Sequence, residues 1–226
     1  LQGDQDAADL ARQQLVRMSL RANQADQLLL ENERLRQLLE LRGRLSTAAQ
    51  AAQVIYDTAD PYTRRVVVDR GQMAGIVLGS PVLDEAGVLG QVTQVYPFTS
   101  EVTLLIDRDQ AIPVQNLRTG ARAVAYGDPV GGHDGGMELR FMPANADVQE
   151  GDLLTTSGVD GLYPPGFPVA KVVQVERRAD SAFARIYCQP LAKIEGVRHV
   201  MVLQPPAESL PERPVPATGV VKGGRK

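Results

Sequence analysis

The sequence predicts a mainly β protein with one long N-terminal helix: two small β-barrel-like domains following a coiled-coil helix. Three observations predict it. From Gln5 to Leu45 there is no proline, and after Gly3 no glycine until Gly43. Ala, Leu, Gln, Glu and Arg dominate that stretch, and these residues lose little freedom in a helix. After Gln53, and for about 150 residues, the chain changes to short β-branched runs separated by glycine and proline turns. Between those runs there is no helical pattern of roughly 10 to 15 residues, which argues against parallel βαβ units and a dinucleotide-binding fold.

At 1.5 Å rise per residue the predicted helix is roughly 60 Å long, more than a small domain can cover. It must project or find a partner. Its charges balance, seven acidic against seven basic over residues 4–45, so self-pairing is permitted. The segment LLLENERLRQLLEL, residues 28–41, carries the pattern. With Leu28 and Leu35 at d positions of a heptad, Ala25, Asn32 and Leu39 fall at a, and a single Asn at a fixes register and strand number at a cost in stability. Glu31, Glu33, Arg34, Arg36 and Glu40 flank this seam with mixed charge. Carried backwards, the heptad puts Met18 and Ala11 at a but Arg21 and Gln14 at d, so the N-terminal half pairs less well and is expected to splay. An amphipathic helix packed on its own domain is the alternative reading. Gly43 and Ser46-Thr47 are expected to weaken or close the helix.

Twelve strands are expected, at residues 53–56, 65–69, 80–84, 88–95, 101–106, 112–115, 121–126, 137–142, 152–155, 169–176, 182–189 and 200–203. The number suits two small barrels or sandwiches. A turn-to-strand echo between residues 81–95 and 166–175 supports two modules. The expected division is a coiled-coil helix over 1–46, a discontinuous first β domain over 47–76 and 166–205, and a second β domain over 77–165 inserted in it. Residues 206–226, rich in proline with little to bury, are expected to be a disordered tail.

The charge balance removes several functions. Net charge is −3 and pI near 5.5, so no basic field holds nucleic acid by counterion release. One cysteine, Cys188, excludes an internal disulfide and a Cys-rich metal cage. It alternates with Ala184 and Ile186 onto one strand face, as a small core residue does. The only histidines, His133 and His199, are 66 residues apart. A serine-protease reading would use His133, Asp152 or Asp160, and Ser157, but it puts the histidine on a glycine-rich loop without rigid support. The glycines of residues 69–79 precede a strand and not a helix, so they read as turns and offer no phosphate cradle. Tyr163-Pro164-Pro165 reads as a rigid loop. No cofactor, metal or catalytic residue is assigned.

A projecting helix ending in ENERLRQLLELR (31–42) is followed by VVDRGQMAGIVLGSPVL (67–83), GVLGQVTQV (87–95), TSEVTLLID (99–107), GDLLTTSG (151–158) and PPGFPVAKV (164–172). In that order these segments resemble the extracytoplasmic region of the MreC family of bacterial rod shape-determining proteins. The resemblance implies a non-enzymatic scaffold of the cell-elongation complex that self-associates as a dimer or higher oligomer. It further implies partners in a class B penicillin-binding transpeptidase, MreD and the actin-like MreB system, and a periplasmic location behind a single inner-membrane span. A chain beginning at Leu1 is expected to have lost such a span. An export adaptor of the membrane-fusion type would also join a coiled coil to β modules, but it ordinarily needs a helical hairpin and only one helix is readable.

Overall fold

A computed structural model describes residues 2–45, 47–58, 60, 63–128 and 136–204. His133 and the proline-rich tail lie outside the described residues. The helix α1 spans Gln2–Arg44, and the amide of Leu45 closes its last turn on the carbonyls of Leu41 and Arg42. Gly43 lies inside that last turn and does not stop the helix.

Among the described residues twelve strands follow: β1 (Ala49–Asp57), β2 (Arg65–Val68), β3 (Pro81–Leu83), β4 (Val88–Val95), β5 (Ser100–Leu104), β6 (Ala111–Asn116), β7 (Arg122–Gly127), β8 (Met137–Pro143), β9 (Leu153–Thr156), β10 (Pro168–Glu176), β11 (Phe183–Pro190) and β12 (His199–Leu203). Each overlaps an expected strand. They close into two six-stranded antiparallel barrels, ordered β1-β12-β3-β4-β5-β2 and β10-β11-β8-β7-β6-β9. Closure pairs every strand on both sides, which leaves no edge for unwanted strand addition.

The domain boundaries differ from expectation. β3, β4 and β5, placed by sequence in the inserted module, complete the first barrel; β10 and β11, placed in the first, complete the second. The second barrel is thus the continuous run from Ala111 to Pro190, set between β5 and β12. The cause is physical. The echo between residues 81–95 and 166–175 reports a turn entering a half-buried strand, which fixes face but not partner. Partners are set by closure, and β5 pairs with both β4 and β2, so the early strands find their complement close by in sequence.

The barrel interiors are aliphatic. The first is filled by Val66, Val68, Val82, Leu89, Val92, Val102, Val200 and Val202 among others. The second contains Ile112, Val114, Leu139, Leu154, Val172 and Ile186, and its cluster continues without a break into Leu83, Val88, Leu105 and Leu203 of the first. Ile106 packs on both clusters. The two barrels therefore share one apolar junction. Gly87 sits at it: a Cβ there would lie 2.5 Å from the carbonyl oxygen of Pro168. Opposite, Asp84 is fully buried and accepts the amides of Ala86 (2.8 Å), Gly87 (2.9 Å) and Lys193 (2.6 Å). Burial raises the Asp84 carboxyl above its ordinary value and the neighbouring Glu85 charge adds to it, although the three amides pull the other way.

Candidate functional site

The helix carries two different faces. Leu38 is 3% exposed, and Leu41 and Leu45, one and two turns on, pack into the junction between the barrels. Higher up, Glu31 reaches the start of β12, with Oε2 3.3 Å from Arg198 Nη1 and Oε1 3.7 Å from His199 Nδ1. These contacts seat only the C-terminal third of α1. Between them runs an open groove walled by Gln27, Leu30 and Arg34 on the helix and by Glu85, Lys193 and Val197 on the barrel.

The predicted heptad lies elsewhere on the cylinder. At 100° per residue, the centre of Ala25, Leu28, Asn32, Leu35 and Leu39 is about 120° from the centre of Glu31, Arg34, Leu38 and Leu41. The exposures agree: Leu28 and Leu39 are 67% and 60% exposed, Leu35 is 36%, and Ala25 and Asn32 are exposed. Ala25, Leu28, Asn32 and Leu39 lie on a stripe that the barrels do not cover, while Leu35, at its edge, also lines the groove beside Leu38. The alternative reading, a helix packed on its own domain, holds for this end of α1, although the residues that make the seat were not assigned from sequence. Their signal was the Leu38, Leu41, Leu45 spacing, a second apolar stripe that the heptad assignment passed over.

The two aspartates considered for catalysis are held in structural contacts. Asp152 is buried and held by four donors: Arg118 Nε to Oδ1 at 2.8 Å, and to Oδ2 Asn116 Nδ2 (2.8 Å), Arg118 Nη2 (3.0 Å) and the Gln149 amide (3.0 Å). The Arg118 guanidinium holds its carboxyl far below the usual carboxylate range. Asp147, on the same guanidinium at 2.9 Å, is lowered for the same reason. Arg118 thereby ties the β6–β7 turn to the loop before β9. Asp160 accepts the amides of Leu162 and Tyr163, and Ser157 Oγ is buried without a protein partner. Cys188 is buried in the second barrel, which pushes its thiol up to about 12. His199 stands in the first barrel beside Glu31. Among the described residues no cluster of three or more His, Cys, Asp or Glu could hold a metal ion. No described helix is long and apolar enough to cross a membrane.

Comparison with known proteins agrees with this architecture. The family model described as rod shape-determining protein MreC, barrel core, matches residues 54–204. The cell shape-determining protein MreC of Haemophilus influenzae is 40% identical over 194 residues, 86% of this chain and 54% of that protein. Its Escherichia coli counterpart is 39% identical over 173 residues, 76% of this chain and 46% of that protein. The chain thus spans about half the length of these curated relatives. The crystal structure of MreC from Pseudomonas aeruginosa superposes with a TM-score of 0.65 at 38% identity, covering 70% of this chain and 99% of that one. The MreC chain of a Helicobacter pylori complex with penicillin-binding protein PBP2 shares the fold, with a TM-score of 0.56 at 14% identity over 72% of this chain and all of that one. With two six-stranded barrels behind a long helix, a family model matched across both barrels and relatives near 40% identity, the chain belongs to the MreC family of rod shape-determining proteins.

Proposed function

We propose that this chain is the periplasmic part of a single-span inner-membrane scaffold of the bacterial cell-elongation complex. It carries no catalytic group. It self-associates as a parallel pair through Ala25, Leu28, Asn32, Leu35 and Leu39, and higher assembly builds on that pair. Through its barrels it engages a class B penicillin-binding transpeptidase, and through the membrane and the cytoplasm it connects to MreD and the MreB system.

The observation that carries this reading is the division of α1 into a seated face and an uncovered leucine seam. Leucines left in water on a helix that its own body has already docked contribute little to the fold, and a second copy supplies the burial. The transpeptidase assignment draws on family membership and on the Helicobacter pylori complex with PBP2.

Two measurements test it. Sedimentation across micromolar to millimolar concentration, with and without residues 1–45, reports self-association; a monomer throughout refutes it. Titration of the chain with the transpeptidase's extracytoplasmic domain reports partner binding; absence of a complex refutes that half alone.

A further inference from the structure

The first barrel has a second recess besides the groove under α1. This cavity of about 310 Å³ is bounded by the β1–β2 hairpin at Asp57 and Arg64–Arg65, by Leu104 at the end of β5, and by the turn at Glu195 before β12. Val66 and Leu104, both buried, give it an apolar floor. Its walls are charged.

Among the described residues four buried side-chain polar atoms lack a hydrogen-bond partner, and two of them, Arg64 Nε and Arg65 Nε, belong to residues of this cavity. A guanidinium N–H taken out of water without an acceptor is costly. Two of them side by side point to an acceptor that enters from outside. The backbone holds both residues in place. The Arg64 amide donates to Asp107 Oδ2 (2.8 Å), and its carbonyl accepts the Leu104 amide (2.8 Å). The Arg65 carbonyl accepts the amide (3.0 Å) and the hydroxyl (2.9 Å) of Thr58. Arg65 also donates from Nη1 to Glu101 Oε1 at 3.0 Å. None of these bonds uses either Nε.

The charges at the cavity select the ligand. Arg64 and Arg65 on its wall are matched by Asp57 and Glu195, both exposed. Around it, Glu101 is taken by Arg65, Asp107 accepts the amides of Arg64 and Asp109, and Arg198 donates to Glu31. Asp60 lies on the same hairpin, and Arg108 and Asp109, next to Asp107, are of opposite sign. A bare inorganic anion therefore meets at least as much negative as positive charge and gains little. A molecule that carries both a carboxylate and an ammonium finds a complement for each, because guanidinium forks suit carboxylates and carboxylates accept from an ammonium. Barrel mouths are common ligand sites, and this volume is at the small end of their range. We propose that the recess binds a small zwitterion of the amino-acid or short-peptide class, its carboxylate on the Nε–H groups of Arg64 and Arg65 and its ammonium on Asp57 and Glu195.

Calorimetric titration of the full chain with alanine and with alanyl-alanine tests the site, and the tighter of the two identifies the source as a free amino acid or a peptide. The amidated form of that ligand, which lacks the carboxylate, is expected to bind about 10-fold more weakly or worse, and Arg64→Gln is expected to weaken the unmodified ligand as much. The N-acetylated form, which lacks the ammonium, is also expected to bind more weakly. Glu195→Gln, on an exposed turn where the fold tolerates it, is expected to weaken the unmodified ligand and leave the acetylated one unchanged. Absence of saturable binding by either zwitterion overturns the proposal. So does binding that is undiminished in both variants, which places the ligand elsewhere. Inorganic phosphate that binds as tightly as the zwitterion overturns the ligand class.

Discussion

Leu38 and Leu39 are neighbours in sequence with opposite duties, and exchanging each for alanine separates the two faces of α1. Leu38 is 3% exposed and Leu39 is 60% exposed. Truncating a buried leucine costs about 2–5 kcal/mol, towards the lower end where the site can partly collapse, as the open groove beside Leu38 permits. Taking about 3 kcal/mol, the fraction of molecules with the helix lifted off the barrel rises roughly 150-fold in Leu38→Ala. Leu39→Ala, on solvated surface, is expected to change stability by less than about 0.5 kcal/mol. Hydrogen exchange over residues 31–45 reads the lifted fraction directly. A spin-label distance from Gln27 to Glu85, residues that face each other across the groove, reads it independently. Equal protection in the two variants would refute the seated-face argument, because it would mean that Leu38 does not hold the helix down.

Three further outcomes follow from the buried groups. Asp152→Asn puts an amide where Asn116, Arg118 and Gln149 all donate, and should cost about 2 kcal/mol in a urea titration at neutral pH. Because the folded Asp152 carboxyl sits below its unfolded value, the stability it contributes is present above about pH 4 and is lost as pH falls further, so the gap between wild type and variant should close in acid. Asp84 titrates with the opposite sign: its folded value is raised, its contribution is lost as pH rises through that value, and wild type should gain on Asp84→Asn as pH is lowered from 7 towards 4. The Cys188 thiol, pushed up to about 12 by burial, should resist alkylation at pH 8 in the folded chain and react once urea unfolds it.

The elements were legible in the sequence because their periodicities are local. β-branched runs between glycine turns located all twelve strands, and a glycine-poor, proline-free stretch located the helix. Strand partnership was not legible. β3 and β10 begin with similar turn-to-strand segments yet close different barrels, since alternation encodes the face a strand buries and not its neighbour. The heptad on which the proposed seam rests is a local spacing in the sequence, whereas the seat of α1 depends on Leu38 meeting a barrel end assembled from residues near 85 and 195, more than 40 positions away. The bulge on β8, where Phe141 takes φ +60°, gave no signal at all: it follows from the register between β8 and β11, which only the closed barrel defines.

Self-association through the seam is the central claim, and its strength can be bounded. Pairing two chains removes from water the exposed parts of Leu28, Leu35 and Leu39 twice over, the equivalent of about three fully exposed leucines, worth roughly 6–7 kcal/mol. Association itself costs at least about 4 kcal/mol, so the pair is weak in free solution and strengthens when tethering to a surface raises the effective concentration to the millimolar range. The direct measurement is energy transfer between chains held by an N-terminal tag on lipid vesicles, labelled at Gln24→Cys, a site beside the seam, with Cys188 protected by burial. Efficient transfer in the labelled chain, abolished by Leu35→Asp with Leu39→Asp at equal surface density, is the predicted result; transfer that is absent, or that survives both aspartates, would contradict it.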